Sequence, residues 1–256
     1  MKQALLVVSF GTSVPKARES IAAVEQALAA HAPCFDFYRA FTSPTIRGIL
    51  AKRGEAVLSL AEALEQLAGA GYERVLVQPT HLLYGIEHDK IKETVAGFIP
   101  RFARLALGKP LVAGSGELQA LAACVAECYM PKTGALVLLG HGTEHFANMV
   151  YPALQTALRL AGVKNAYVGT VEGWPGFDEV LSQLRADGHQ AVRLTPLMLV
   201  AGDHALHDMA GGEPGSWQSR LEQEGFAVCC GLQGLGVLPG VQALYKTHLQ
   251  ELLHEL

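Results

Sequence analysis

Short, continuous apolar runs alternate along the chain with longer segments in which apolar residues recur every three or four positions. The run at 5–10 is apolar at nearly every position, whereas Ile21, Val24 and Leu28 follow helical spacing. Strands with two apolar faces are typical of parallel sheets covered by helices on both sides. The pattern therefore predicts an α/β fold with strands at 5–10, 35–40, 74–79, 104–107, 136–140, 166–171, 192–197 and 227–230, and helices near 13–28, 44–54, 56–67, 150–160, 177–184, 217–224 and 241–253.

Two parts of this pattern occur twice. The segment ALLVVSFGTS at 4–13 matches ALVLLGHGTE at 135–144, and this match pairs Phe10 with His141. The segment VLVQPTHLLYGIE at 75–87 matches VRLTPLMLVAGDH at 192–204, which pairs Glu87 with His204. We interpret the repeat as two similar α/β lobes at 1–130 and 131–256, related by a pseudo-twofold axis, with an active-site cleft between them. The last helix, near 241–253, is expected to pack back on the first lobe or to mediate assembly.

Composition narrows the classes of protein that fit. The 256 residues carry a net charge of −4 with a pI near 6.2, and no basic stripe is present, which argues against a nucleic-acid binder. No run approaches the ~18 apolar residues that a membrane span needs. Five cysteines form no CxxC pair, and the chain enters a strand directly after Met1 without the features of a signal peptide. These features favour a cytoplasmic protein with reduced thiols.

Two histidines and one glutamate stand where chemistry is expected. His141 and His204 each follow a strand, and in parallel sheets ligands bind beyond the carboxyl ends of the strands. Neutral imidazole is a common ligand of divalent first-row metals, and Glu87 would add a carboxylate. The set predicts a site for Co²⁺, Ni²⁺, Fe²⁺ or Zn²⁺, or alternatively a general acid–base site. His207, three residues after His204, is either an auxiliary ligand, a residue that supports the ligands without touching the metal, or a surface residue.

The turn that ends at Ser13 suggests a place for an anion. Ser9-Phe10-Gly11-Thr12-Ser13 offers amides and hydroxyls, and Ser13 is predicted to cap the first helix, with Pro15 in its first turn. The segment lacks the lysine of a P-loop and the three glycines of a dinucleotide fingerprint. It therefore predicts only a general site for a ligand carboxylate.

Several segments together resemble a known family, the class II tetrapyrrole chelatases, and most closely the anaerobic sirohydrochlorin cobaltochelatases of cobalamin biosynthesis. The similarity extends from the first strand to about residue 236, and the last of its segments is the longest and most specific. The segments are ALLVVSFGTS at the start, RAFTSPTIR at 39–47, GIEHDKI at 85–91, LGHGTEH at 139–145, VGTVEGWPGFDEVL at 168–181 and PLMLVAGDHALHDM at 196–209.

The resemblance implies a lyase that inserts Co²⁺ into sirohydrochlorin without ATP. It maps the metal-binding and catalytic residues of the family onto His141, His204 and Glu87. The residues expected to contact the tetrapyrrole are Phe10, Ser13, Tyr84 and Glu172. Two alternatives stay open: a ferrochelatase that inserts Fe²⁺ for sirohaem at the same site, and a carrier that binds a tetrapyrrole or metal without catalysis. Assembly into a homo-oligomer is also left open.

Overall fold

Eight parallel strands form two sheets of four within residues 2–254, which are the residues that the computed structural model describes. The chain divides into two compact units. The first comprises the described parts of Met1–Ala113 and Val241–Leu256, and the second is Gly114–Gly240. Of the described helices, none is long and apolar enough to span a membrane.

The first unit holds a sheet with strand order β2-β1-β3-β4. Its elements are β1 (Lys2–Ser9), α1 (Arg18–His31), β2 (Asp36–Phe41), α2 (Pro44–Lys52), α3 (Leu60–Gly69), β3 (Tyr72–Pro79), α4 (Ile86–Phe98) and β4 (Arg104–Leu107). The central strand β1 is fully buried from Ala4 to Val8 because helices cover both of its faces.

The second unit holds a sheet with strand order β6-β5-β7-β8. Its elements are α5 (Ser115–Tyr129), β5 (Ala135–Gly140), α6 (Val150–Leu160), β6 (Ala166–Thr170), α7 (Phe177–Ala186), β7 (Ala191–Pro196), α8 (Trp217–Gln223) and β8 (Ala227–Cys230), and the chain then continues into α9 (Pro239–His254). Short 3₁₀ turns lie between some of these elements.

The two sheets confirm the predicted pair of similar α/β folds, because their strands follow the same order in space. Even the backbone hydrogen bonds that follow the central strands are matched. Thr80 N donates to Val8 O (2.8 Å) in the first sheet, and Leu197 N donates to Leu139 O (2.8 Å) in the second. The repeat seen in the sequence is therefore a repeat of backbone geometry.

The units divide the chain at a different place from the predicted boundary at 130/131. Helix α5 belongs to the second unit because it packs against α6. Most of α9 belongs to the first unit, where the buried Tyr245 hydroxyl donates to Thr80 O (2.7 Å) and Lys109 pairs with Glu251 (2.7 Å). The expectation that the last helix packs on the first half agrees with these contacts.

Several helix positions differ from the prediction. Helix α1 begins at Arg18 after Ala17, so the predicted cap at Ser13 and the place of Pro15 in the first turn are wrong. The local reason is a turn in which Thr12 Oγ1 accepts from Val14 N (3.2 Å) and holds this segment outside the helix. Helix α3 begins at Leu60 rather than at 56, because Ser59 and Glu62 form a capping box. Helices α4 and α5 were not predicted.

A histidine with buried ring nitrogens makes the stability of the first unit depend on pH. Both ring nitrogens of His81 are sealed from solvent and lack a hydrogen-bond partner among the described residues. Burial lowers the pKa of His81 to about 4, although the charge of Glu87 opposes the shift. Since the unfolded chain takes up this proton near pH 6.5, the unfolded state binds more protons between about pH 6.5 and 4.

We therefore expect the free energy of unfolding to fall as the pH is lowered through this window, by at most about 3 kcal/mol from His81 alone. Urea unfolding at pH 7 and pH 4.5 measures the loss. His81→Gln removes the titrating group, and its loss between the two pH values should be smaller than that of the wild type. An equal loss in both proteins would contradict the prediction.

Candidate metal centre

Two imidazoles meet at the carboxyl end of the second sheet. His141 directly follows β5, and His204 lies eight residues after β7, the strand that pairs with β5. Their Nε2 atoms are 3.2 Å apart, and the two rings stand edge to face. The structure thus brings together the two histidines that the sequence analysis proposed as metal ligands.

The partners of the other ring nitrogens favour one tautomer for both histidines. His141 Nδ1 lies 2.9 Å from Gly142 O, and His204 Nδ1 lies 2.6 Å from Asp208 Oδ2. Both oxygens accept, so each Nδ1 carries the hydrogen and each Nε2 presents a lone pair. Two nitrogen ligands about 2.1 Å from one metal ion, at an angle of roughly 90–110°, are about 3.0–3.4 Å apart. The observed separation fits two ligands of one ion.

Glu172 completes a group of three ligands. Among the described residues, His141, His204 and Glu172 each offer one ligand atom within 4.8 Å of the other two. The carboxylate oxygen Oε2 of Glu172 is 3.9 Å from His141 Nδ1. Glu172 was predicted to contact the tetrapyrrole, and its position beside the imidazoles also makes it a candidate metal ligand, which the sequence analysis missed. Two imidazoles and one carboxylate suit a first-row divalent metal.

The backbone of the two loops explains why Glu172 reaches this place. Glu172 N donates to His141 O (2.8 Å), so the segment after β6 continues beside the segment after β5. The matching bond in the first unit runs from Ser43 N to Phe10 O (3.2 Å). Glu172 is therefore the repeat partner of Ser43, just as His141 is the partner of Phe10.

The glycines around His141 serve the packing of these loops. Gly142 has φ +86°, and a Cβ there would lie 2.5 Å from Gly173 N. A Cβ at Gly140 would lie 2.1 Å from the ring of Tyr151. These glycines let the loop of Glu172 and the ring of Tyr151 pack against the loop of His141.

A single π-helical turn positions His204 and its partner. The turn at Ala205–Met209 begins directly after His204, and Ala210 N donates to Ala205 O (3.2 Å). Such wide turns are frequent at functional sites. His207 instead faces Asp203, with 3.3 Å between Nε2 and Oδ1, and is not part of the three-residue group. Asp208, which sequence analysis did not consider, is the group that orients His204.

We expect Asp208→Asn to weaken binding of a first-row divalent metal about tenfold, because a carboxylate partner fixes the tautomer and raises the basicity of a ligating histidine. Titration of the protein with Co²⁺, followed by its visible absorption, measures the change. Asp203→Asn is the matched control, since it neutralises a nearby carboxylate that pairs with His207, and its affinity should equal that of the wild type. Equal affinities for all three proteins would contradict a role for Asp208.

The remaining predicted site residues belong to the first unit. Phe10 follows β1 and is half-exposed, Ser13 lies before α1, and Tyr84 contacts the ring of His88 edge to face at 4.7 Å. Glu87 lies in the first turn of α4 and pairs with Lys90 (2.6 Å). Burial raises the pKa of Glu87. Hydrogen bonding, chiefly from Lys90, lowers the pKa by more than burial raises it, so the net pKa is below the usual value. Glu87 is therefore ionised at neutral pH, and the roles of these four residues stay predictions.

Two solved structures share this fold. The chain is similar to SirB from Bacillus subtilis with Fe³⁺, with a TM-score of 0.66 and 20% identity over 98% of this chain and 95% of that one. It is also similar to CbiX, described as the terminal enzyme for biosynthesis of siroheme in denitrifying bacteria, with a TM-score of 0.57 and 18% identity over 97% and 99% of the two chains. At these identities the similarity establishes the fold alone.

Sequence comparison identifies both the class, which is that of the metal chelatases, and the family within it. The pattern of the cobalt chelatase family (CbiK) matches residues 3–254, and the chain belongs to this family. A sirohydrochlorin cobaltochelatase of Salmonella typhimurium is 40% identical, with 99% of this chain and 97% of the relative aligned. The sirohydrochlorin cobaltochelatase CbiKC of Nitratidesulfovibrio vulgaris is 31% identical, with 97% and 89% aligned. The resemblance inferred from the sequence segments is confirmed.

Proposed function

We propose that the protein is a sirohydrochlorin cobaltochelatase, which inserts Co²⁺ into sirohydrochlorin without ATP and releases two pyrrole protons. The family and the names of the two curated relatives support this activity. The structural observation that carries the proposal is the pair of Nε2 atoms 3.2 Å apart, with a carboxylate oxygen of Glu172 within 4.8 Å of one ring nitrogen of each histidine. Two nitrogens and one oxygen at this spacing can hold a divalent cation of the first transition row.

The ligand set suits a metal that must be bound and then released. A hydrated cation loses waters before it enters a macrocycle, and the imidazoles replace those waters while remaining exchangeable. His141, Glu172 and His204 are all substantially exposed, with side-chain accessibilities of 44%, 60% and 42%. Three protein ligands leave further positions on the ion open, so that pyrrole nitrogens can replace the protein ligands one after another.

The reaction also needs acceptors for two protons. We assign one of the two protons to Glu87, because its carboxylate is ionised at neutral pH and carboxylates are common general bases, and the other proton passes to water. Glu172 and Glu87 then have different tasks: the first holds the metal, and the second takes a proton from the tetrapyrrole.

The comparisons favour cobalt and catalysis over the alternatives. Imidazole and carboxylate ligands accept both Co²⁺ and Fe²⁺, so the site alone does not select the metal. Both curated relatives are named cobaltochelatases, which does not favour the ferrochelatase or the carrier. Cytoplasmic location and assembly into a homo-oligomer stay predictions.

The test is the visible spectrum of sirohydrochlorin mixed anaerobically with Co²⁺ and substoichiometric protein. We expect conversion over many turnovers, faster than in a metal-only control. Parallel reactions with Fe²⁺ measure the metal preference, and faster insertion of Fe²⁺ would favour the ferrochelatase. Binding of sirohydrochlorin without acceleration over the metal-only control would identify a carrier and overturn the proposal.

A further inference from the structure

Asn148 connects the two loops that carry His141 and Glu172. Its Oδ1 accepts from Thr143 N (3.1 Å), two residues after His141, and its Nδ2 donates to Trp174 O (2.6 Å), two residues after Glu172. Asn148 itself lies in the 3₁₀ turn Phe146–Met149 that leads into α6. One side-chain amide thus holds both ligand loops from the same turn.

The Asn148 side chain packs closely against both loops. A Cβ at Gly173 would lie 2.5 Å from Asn148 Oδ1 and 3.1 Å from Gly142 Cα. At Glu172 the two loops are joined by the backbone hydrogen bond from Glu172 N to His141 O. Beyond Gly173, Asn148 holds the loop of Glu172 to the loop of His141 through its hydrogen bond to Trp174 O.

We propose that Asn148 is a positioning residue that keeps the Glu172 carboxylate within reach of a metal held by His141 and His204. The assignment rests on the proposed function only in taking Co²⁺ as the metal. Asparagine suits the role because its side chain offers an acceptor and a donor on one rigid plane. Aspartate keeps the acceptor for Thr143 N but cannot donate to Trp174 O when ionised, and alanine makes neither bond.

The proposal predicts a specific loss of metal affinity. Asn148→Ala and Asn148→Asp should each weaken Co²⁺ binding about tenfold, the lower end of the range of about 10–100-fold that is typical for residues that orient metal ligands. Titration of the protein with Co²⁺, followed by visible absorption or calorimetry, measures the affinity without any turnover. The melting temperature reports general destabilisation.

A double-mutant cycle tests whether Asn148 acts through Glu172. If it does, Asn148→Ala should have little effect on Co²⁺ affinity once Glu172→Ala has removed the carboxylate. If Asn148→Ala lowers Co²⁺ affinity equally in the wild type and in Glu172→Ala, the proposal is overturned. Native Co²⁺ affinity in both Asn148→Ala and Asn148→Asp would also overturn it.

Asn165 provides a matched control in the same unit. Its Nδ2 also donates to a backbone carbonyl across a turn, Gly134 O (2.9 Å), but at the amino ends of β5 and β6. Asn165→Ala should bind Co²⁺ like the wild type, and an equal loss in this variant would overturn a specific role for Asn148. If the wild type binds Co²⁺ but inserts none into sirohydrochlorin, the proposed function fails while this binding test still decides the role of Asn148.

Discussion

Replacement of His141 or His204 by alanine is expected to reduce cobalt insertion by more than about 100-fold, because loss of a ligand should exceed the ~10–100-fold effect of losing a residue that only orients one. Each histidine contributes one of the two Nε2 atoms that face each other, so neither can be replaced by the other. Both side chains are partly exposed and lie in the segments that follow β5 and β7, so their removal should leave the fold intact.

Initial rates with Co²⁺ and sirohydrochlorin, together with melting curves, measure this effect. His189→Ala is a suitable control in the same unit, because His189 bonds to the Tyr167 hydroxyl (2.9 Å) away from the metal centre. The control should insert cobalt at the native rate. Native rates in both the His141 and the His204 variants would show that the paired imidazoles are not the metal site.

Glu172→Gln is expected to have the next largest effect, a loss of about 10–100-fold in cobalt affinity. The amide keeps the size of the side chain but removes the negative charge from a group whose ligand atoms lie within 4.8 Å of one another.

Glu87→Gln should behave differently. If Glu87 accepts a pyrrole proton, its variant retains cobalt affinity and loses turnover, since a neutral amide cannot serve as a base.

Parallel measurements of Co²⁺ affinity and turnover in the two variants separate these roles. Loss of affinity in Glu87→Gln comparable to that in Glu172→Gln would mean that Glu87 is also a ligand, as the sequence repeat suggested. Native affinity in Glu172→Gln would contradict the three-residue metal centre.

Much of this site could be predicted because it follows from the repeat. The matched segments place His141 after β5 and His204 after β7, and adjacent parallel strands bring such residues to one sheet edge. Glu172 follows β6, which also pairs with β5. The sequence repeat is clear along the first and third strands of each half but not along the second, so it does not mark Glu172 as a candidate ligand. The order of the strands in the sheet, rather than the repeat, places Glu172 beside His141.

Other features depend on contacts that the sequence pattern does not contain. Ser13 has the chemistry of a helix cap, but the turn held by Thr12 delays the helix to Arg18. Helix α4 buries only His88, Ile91 and Val95. Because most of its positions are polar or exposed, the apolar residues do not show a clear helical spacing in the sequence. Asn148 and Asp208 act through hydrogen bonds to specific loops, and residue type alone does not reveal such partners.

The return of α9 to the first unit has a consequence for the order in which the protein is made. The second unit, at 114–240, is complete before the last helix leaves the ribosome, whereas the first unit still lacks Tyr245, Gln250 and Glu251. These three side chains contact Thr80, His31 and Lys109, which were synthesised much earlier. Because domains fold as units during synthesis, the half of the protein that begins first is the half that finishes folding last.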